Sequence, residues 1–278
     1  MRDIRPSAAA GSWYPATGTR LSDAVDAHLA SVPPEEAGGC PRAIIAPHAG
    51  LLYSGPVAAY AYALLRRCPY VAVVLVGPSH FVGFHGVSIW PRGAWDTPLG
   101  AVHVAAGLAD ALAAESSEIV EYPAAHGREH SLEMQLPFVA RLLPDVPIVP
   151  LVMGYQQRDT AMALGGALAR GVTSYRTEHP GDVLLVASSD LSHFEDAATA
   201  SRLDASVARY VEAFDADGLM DELEREPRHA CGGGPMVSVM QAAAQLGGTR
   251  ARVLRYGDSG DVSGDKSSVV GYMAAAIW

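Results

Sequence analysis

Six apolar runs constrain this chain more than any other feature. They are RAIIAP (42–47), YVAVVLVG (70–77), VPIVPLVMG (146–154), DVLLVAS (182–188), ARVLRYG (251–257) and SVVGYMAAAI (268–277). Their apolarity is near-continuous rather than alternating, which is what strands covered on both faces require. Gly, Pro, Ser or Asp punctuates the runs, which fits short strands better than buried helices. Between them, Ala- and Leu-rich stretches at 21–31, 55–67, 103–114, 131–143, 158–170, 196–214 and 235–246 carry helical periodicity. Pro56 suits the start of its helix, whereas Pro137 should kink or divide the one it falls in. Strands alternating with helices predict the α/β class: a three-layer α/β/α sandwich with a mostly parallel or mixed central sheet. No convincing linker splits the 278 residues, so one domain over 1–278 is expected, with SVPPEEAGGCP (31–41) as a surface loop.

Composition narrows the partners. Hydrophobic residues make up 49% and charged residues 18%, enough for a sizeable core. Thirty acidic against twenty basic residues give a net charge of -10, which disfavours nucleic acid and anionic membrane surfaces. Three cysteines are too few for a disulfide framework; Cys40 and Cys68 read as inert thiols, and a reducing, cytoplasmic setting is expected. The opening MRDIRPSAAAGSWYP has no apolar leader core, and the longest apolar runs are far short of a membrane span. A Gly-rich phosphate loop with Lys is missing, so nucleotide binding is disfavoured.

In open α/β sheets ligands bind beyond the carboxyl ends of the strands. After AIIA comes Pro47-His48-Ala49-Gly50. After VAVVLV comes Gly77-Pro78-Ser79-His80. After DVLLVA comes Ser188-Ser189-Asp190-Leu191-Ser192-His193. One such His is unremarkable. Three at equivalent strand mouths point to a shared site, because parallel strands bring their carboxyl ends to one edge. Imidazole clusters serve as metal ligands or acid–base groups.

Cys231, in HACGGGPMVSVMQAAAQ, sits where a Gly run meets a helical segment, a position that favours the metal-binding thiolate; a small buried residue beside a turn is the plainer alternative. His229 lies two residues earlier and competes for any role. In HGREHSLEMQLPF (126–138), His126 and His130 would stack if a helix reached that far, and Glu129, Glu133 and Gln135 crowd beside them. Ser131 is a natural helix cap, so capping and a role beside a metal both stay open. SGDVSGDKSSVVGY lacks the ligand pattern of an EF-hand and reads as a turn between strands. His85, Trp13 and Tyr14 are further residues that could border a site, although core packing is the default for the aromatics.

Taken in order, AGSWYP (10–15), PHAG with YSG (47–55), GPSH (77–80), EHSLEMQLPF (129–138), SSDLSH (188–193), CGGGP (231–235), SGDVSGD (259–265) and VVGY (269–272) resemble the Memo family, known in prokaryotes as AmmeMemoRadiSam system protein B. The resemblance covers nearly the whole chain. It implies a fold similar to class III extradiol ring-cleaving dioxygenases, which use non-haem iron. Carried over by motif, His48, His80 and Cys231 become metal ligands, with Cys231 where the dioxygenases have a Glu. His193 becomes the acid–base group, with Asp190 beside it to polarise it or fix its tautomer. Tyr53, Ser79, Glu129, His130 and Ser189 become substrate-facing or supporting residues.

The resemblance implies a metal-dependent oxidoreductase of dioxygenase type, with iron the first expectation for a divalent metal. A thiolate in place of the carboxylate makes the site softer and admits copper or zinc. A zinc-type hydrolase that activates water is the second reading. A non-catalytic module that binds a peptide or protein in the same pocket is the third, since fold does not fix function. The expected ligand is a small molecule or peptide. The family label implies a link to an AMMECR-type protein and a radical SAM enzyme.

Overall fold

A computed structural model describes residues 4–33 and 38–278. The 31–41 loop is described only at its ends; residues 34–37, like the first three, lie outside the described residues.

Each apolar run forms a strand: Ala43–Ala46, Tyr70–Pro78, Ile148–Met153, Asp182–Ser188, Ala251–Asp258 and Val269–Ile277. Four of them run parallel, in the spatial order Ala43–Ala46, Asp182–Ser188, Tyr70–Pro78, Ile148–Met153. Val269–Ile277 flanks Ala43–Ala46 antiparallel and carries Ala251–Asp258 and His193–Glu195. Val87–Ile89 closes on Ile148–Met153 antiparallel and pairs Ile119–Glu121 in parallel. The sheet is therefore mixed, with a parallel centre.

Continuous apolarity is explained by two cores, one on each face. Ile44, Ala46, Val73, Leu75, Leu184 and Val186 pack against Leu21, Val25, Tyr62 and Phe138. Their immediate neighbours Ala43, Ile45, Val74, Val76, Leu185 and Ala187 pack against Leu164, Leu168, Val207, Met236 and Met240. Successive strand side chains point to opposite faces, so a strand between two helix layers needs every position apolar. The chain is a three-layer α/β/α sandwich.

Two helices begin elsewhere than expected. The second covers Leu51–Ala63, with Pro56 inside it rather than at its start. The Gly50 carbonyl accepts from the Tyr53 and Ser54 amides at 2.8 and 3.1 Å, starting the helix directly after the His48 turn. Pro56 removes only the bond to the carbonyl of Leu52, a residue on the exposed side. The 131–143 segment is divided, as Pro137 requires: a 3-10 turn, Glu133–Gln135, runs into the helix Leu136–Leu142. Ser131 does not cap it; its hydroxyl donates to the Pro78 carbonyl at 2.9 Å. The helix Ala216–Arg225 was missed, its apolar face being only Leu219, Met220 and Leu223. The SGDVSGDK segment is a turn between two strands, where Lys266 Nζ bridges Asp258 and Asp261 at 2.7 and 2.6 Å.

Cys40 and Cys68 are not separate inert thiols: they form a disulfide, with Cα atoms 5.5 Å apart. Each lies just before a central strand, and the Tyr70 hydroxyl donates to the Pro41 carbonyl at 2.6 Å, drawing the two strand entries together. The cysteine count thus gives no support to a reducing, cytoplasmic compartment. Among the described residues no helix is long and apolar enough to cross a membrane. Because the bond closes a sequence separation of 28 residues, Cys40→Ala is expected to lower unfolding stability by about 3 kcal/mol. Urea titrations with and without reductant check this: reduced wild type should coincide with the variant.

Candidate metal centre

Three strands end at one edge, and the residues that follow them converge. His48, after Ala43–Ala46, is 1% exposed. Its amide and that of Ala49 donate to Asp190 Oδ1 at 2.7 and 3.2 Å, tying the first strand mouth to the third. Its Nδ1 lies 2.9 Å from Ser188 Oγ. The Ser188 hydroxyl is 2.6 Å from the Ser131 carbonyl, which can only accept, so the single hydroxyl proton points there. His48 Nδ1 must then be the donor, and Gln135 Nε2 donates to the same oxygen at 2.7 Å. His48 Nε2 therefore carries the lone pair, and the atom that faces it is Cys231 Sγ.

His80, after Tyr70–Pro78, is fixed in the same sense. Its Nδ1 lies 2.8 Å from Glu129 Oε1, and its amide donates to Oε2 at 2.5 Å. Glu129 also accepts from the His130 and Ser131 amides at 2.9 and 2.8 Å. Burial opposes the Glu129 charge, but the hydrogen bond from the His80 ring and the surrounding amides outweigh it and bring the pKa down to about 2. A carboxylate on the far nitrogen is the arrangement that orients metal-binding imidazoles. Gly77 allows it: a Cβ there would lie 2.8 Å from the Leu132 and Ser131 side chains.

Cys231 Sγ completes the group at 3.1 Å from His48 Nε2, accepting from the Asp190 amide at 3.3 Å. Its loop is fastened by the Cys231 amide on the Asp190 carbonyl, 3.2 Å, and by the Gly232 amide on Ser189 Oγ, 2.9 Å. A Cβ on Gly232 would run into the Ser188 carbonyl, so close approach requires glycine. The sulfur lies two residues before the helix Gly233–Gln245. Burial, followed by the Asp190 charge, pushes the free thiol upward, so the expected bias toward thiolate does not come from the helix end.

The ligand atoms of His48, His80 and Cys231 all lie within 4.8 Å of one another. Donors around a tetrahedral metal are about 3.5 Å apart, so a small contraction suffices. Burial, then repulsion from His80, lowers the His48 pKa to about 3, keeping it neutral and able to ligate. A second group, His80, Glu129 and His130, shares His80. Its Glu129 oxygens are already taken by imidazole and amide donors. The two-nitrogen, one-sulfur group is the one with lone pairs to spare.

The remaining expected residues fall around this group. His193 Nδ1 donates to the Leu191 carbonyl at 2.8 Å, leaving Nε2 bare. Asp190 thus meets His193 through charge only, and its expected orienting role belongs to the Leu191 carbonyl. Burial raises the Asp190 pKa, against the hydrogen bond from His48. His130 stacks on His80 at 4.7 Å beneath Trp13 at 4.1 Å, and burial above all lowers its pKa to about 4. Tyr53 is half-exposed in the first turn of its helix. Ser79 Oγ closes a local turn on the Val82 carbonyl at 2.7 Å. His126 points away, to Ser88 Oγ at 2.9 Å, and His229 lies 3.3 Å from Glu222. A cleft of about 680 Å³ lined by Gln156, Met220, Leu223 and Gly234 holds none of the three ligands.

Ser188, Ser131 and Gln135 orient His48, a task the sequence reading did not give them although it named each one in a polar cluster. Arg5 was missed altogether. It is buried, with Nε on the His126 carbonyl at 2.7 Å, one terminal nitrogen on the Glu129 carbonyl and the other on Glu133, 2.6 Å. Glu129→Gln is expected to weaken metal affinity by about 10- to 100-fold with little change in fold, as competition against a chromogenic chelator would measure.

A family model described as Memo-like protein matches residues 5–276. A MEMO1 family protein of Methanosarcina mazei is 36% identical over 278 residues, covering 99% of each chain. Another, of Aeropyrum pernix, is 36% identical over 285 residues, again with 99% of each covered. A solved structure of an uncharacterised Escherichia coli K12 protein superposes with a TM-score of 0.52 at 16% identity, covering 83% of this chain and 98% of that one. At that identity the likeness is one of fold.

Proposed function

The chain belongs to the Memo family, and from that premise we propose a metal-dependent oxidoreductase acting on a small molecule or peptide, with dioxygen as the oxidant. The observation that carries this reading is the pair of imidazoles whose Nδ1 atoms are both engaged, leaving two Nε2 lone pairs beside the Cys231 sulfur. His48, His80 and Cys231 would hold the cation, iron first, with copper compatible with the soft sulfur donor. When bound, the cation supplies Lewis acidity and a site for electron exchange. His193 Nε2 takes the proton of an acidic substrate hydroxyl, becoming imidazolium, and returns it to the product. The Leu191 carbonyl stabilises that imidazolium through Nδ1–H. Trp13, itself partly exposed, and His130 offer stacked rings beside the imidazole pair against which a planar substrate can lie. An AMMECR-type protein and a radical SAM enzyme are the proposed functional neighbours.

Cys231 favours one second reading. Two nitrogens and one sulfur suit zinc with an open fourth position, and the same His193 would then serve hydrolysis. One experiment separates the two. The protein is purified without oxygen, its metal content measured, and it is reconstituted with ferrous iron or zinc. Substrates bearing acidic hydroxyls are then offered in an oxygen electrode. Stoichiometric iron with substrate-dependent oxygen uptake, both lost in His48→Ala, supports the oxidoreductase. Zinc-dependent turnover without oxygen uptake replaces it with the hydrolase, and binding without turnover under either metal leaves a binding module.

A further inference from the structure

Next to the His193 turn, at Ser192, lies a second buried polar group that the reading above leaves unused. Asp204, on the helix Ala197–Glu212, is fully buried. Both of its oxygens are engaged: Oδ1 accepts from the Ser192 amide at 2.9 Å and Oδ2 from the Tyr256 hydroxyl at 2.8 Å. A buried carboxyl is costly unless its hydrogen bonds are met, and nothing in the packing of an amphipathic helix calls for one here.

Its place in the fold gives it a task. Leu191 and Ser192 are gripped by Gly271: the Leu191 amide donates to the Gly271 carbonyl at 2.8 Å, and the Gly271 amide donates to the Ser192 carbonyl at 2.9 Å. Asp204 holds the remaining Ser192 amide. Gly271, in the VVGY motif, must lack a side chain, because a Cβ would collide with Asp204 Oδ2. With both sides of Leu191–Ser192 fastened, the Leu191 carbonyl is presented to His193 Nδ1 at 2.8 Å. Immediately after His193 the backbone turns left-handed, at Phe194 with φ 64. A bulky aromatic in that region is unfavourable unless its surroundings impose it.

We propose that Asp204, backed by Tyr256, is a positioning residue that locks His193 in the Nδ1–H tautomer and so keeps Nε2 as the nitrogen with the lone pair. It touches no reacting atom and acts through the Ser192 amide and the Leu191 carbonyl. A base must have its lone pair on the substrate side, and an imidazole free to exchange tautomers would present N–H there for much of the time. The proposal deepens the oxidoreductase reading, resting on it only in assigning proton transfer to His193. The tautomer itself is independent of any reaction.

The test is nitrogen NMR on the full chain with ¹⁵N-labelled histidine, the His193 resonances being assigned by their loss in His193→Gln. Wild type should show Nδ1 protonated and Nε2 bare at a pH where the imidazole is neutral. Asp204→Ala should move His193 toward the Nε2–H form, while metal content at His48, His80 and Cys231 stays the same. Asp204→Asn, which keeps an acceptor for the Ser192 amide, should retain the wild-type pattern. Tyr256→Phe should shift it partway, and it decides the matter if Asp204→Ala does not fold. Where turnover is measurable, kcat should fall by about 10²-fold or more in Asp204→Ala with KM little changed. An unchanged His193 pattern in folded Asp204→Ala, or in Tyr256→Phe when the former fails to fold, overturns the proposal. Failure of the oxidoreductase reading alone would instead leave the tautomer shift present and oxygen uptake absent.

Discussion

Arg5→Ala is expected to lower unfolding free energy by about 3–5 kcal/mol, the range for breaking a buried ion pair by removing one partner. Arg5 and Glu133 meet at 2.6 Å with side chains 1% and 0% exposed. Arg5 also lies over the Trp95 ring at 4.0 Å. Glu133 gathers the N-terminal segment, accepting from Ser7 Oγ at 2.6 Å, the Tyr14 hydroxyl at 2.7 Å, and the Ala8 and Ala9 amides at 2.9 and 2.8 Å. Without the guanidinium, a carboxylate remains buried with only neutral donors. A urea titration at neutral pH measures the loss. An Arg5→Met, Glu133→Leu double variant should recover much of it, because the uncompensated charge is then gone.

The same pair dictates a dependence on acidity. Burial alone would raise Glu133, but the Arg5 charge, the Ser7 hydroxyl and the Ala8 amide outweigh it, and the folded carboxyl titrates below its ordinary 4.5. The stability it contributes is complete above that unfolded value and is lost as pH falls through the lower folded one. Wild type should therefore lose stability below about pH 4.5, and Glu133→Gln should show a flatter acid limb from a lower starting point. Equal slopes in the two proteins would show that other carboxylates govern acid unfolding.

His193→Ala is expected to lower turnover by about 10²- to 10⁴-fold while metal stoichiometry is preserved. Its Nδ1 is committed to Leu191, and the candidate group of His48, His80 and Cys231 does not include it. His48→Ala should remove metal and turnover together. Parallel metal analysis and initial-rate measurements tell these apart. Metal loss in His193→Ala would make it a ligand rather than the proton acceptor.

Much of the layout was legible because parallel strands covered on both faces leave an unmistakable apolar record. The same logic places His48 and His80 at one edge, each two residues past such a strand, whereas His193 follows its strand after four residues and opens a short strand of its own. Supporting contacts were less visible. Arg5 is one basic residue among twenty, and nothing local marks it as buried; its partner is 128 positions away. The Cys40–Cys68 bond likewise depends on two strand entries being drawn together across the sheet. Asp204 looks like an ordinary polar position on an amphipathic helix until Tyr256 and Gly271 close over it. Asp190 was legible as a site residue but not as a holder of the His48 and Ala49 amides.

The two donors that lie 3.1 Å apart, on His48 and Cys231, are separated by 183 positions. During synthesis, the first emerges while more than half of the polypeptide has yet to be made. A nascent fragment that ends before Cys231 therefore holds only one member of this closest pair, and the two can meet only after the intervening strands have been made.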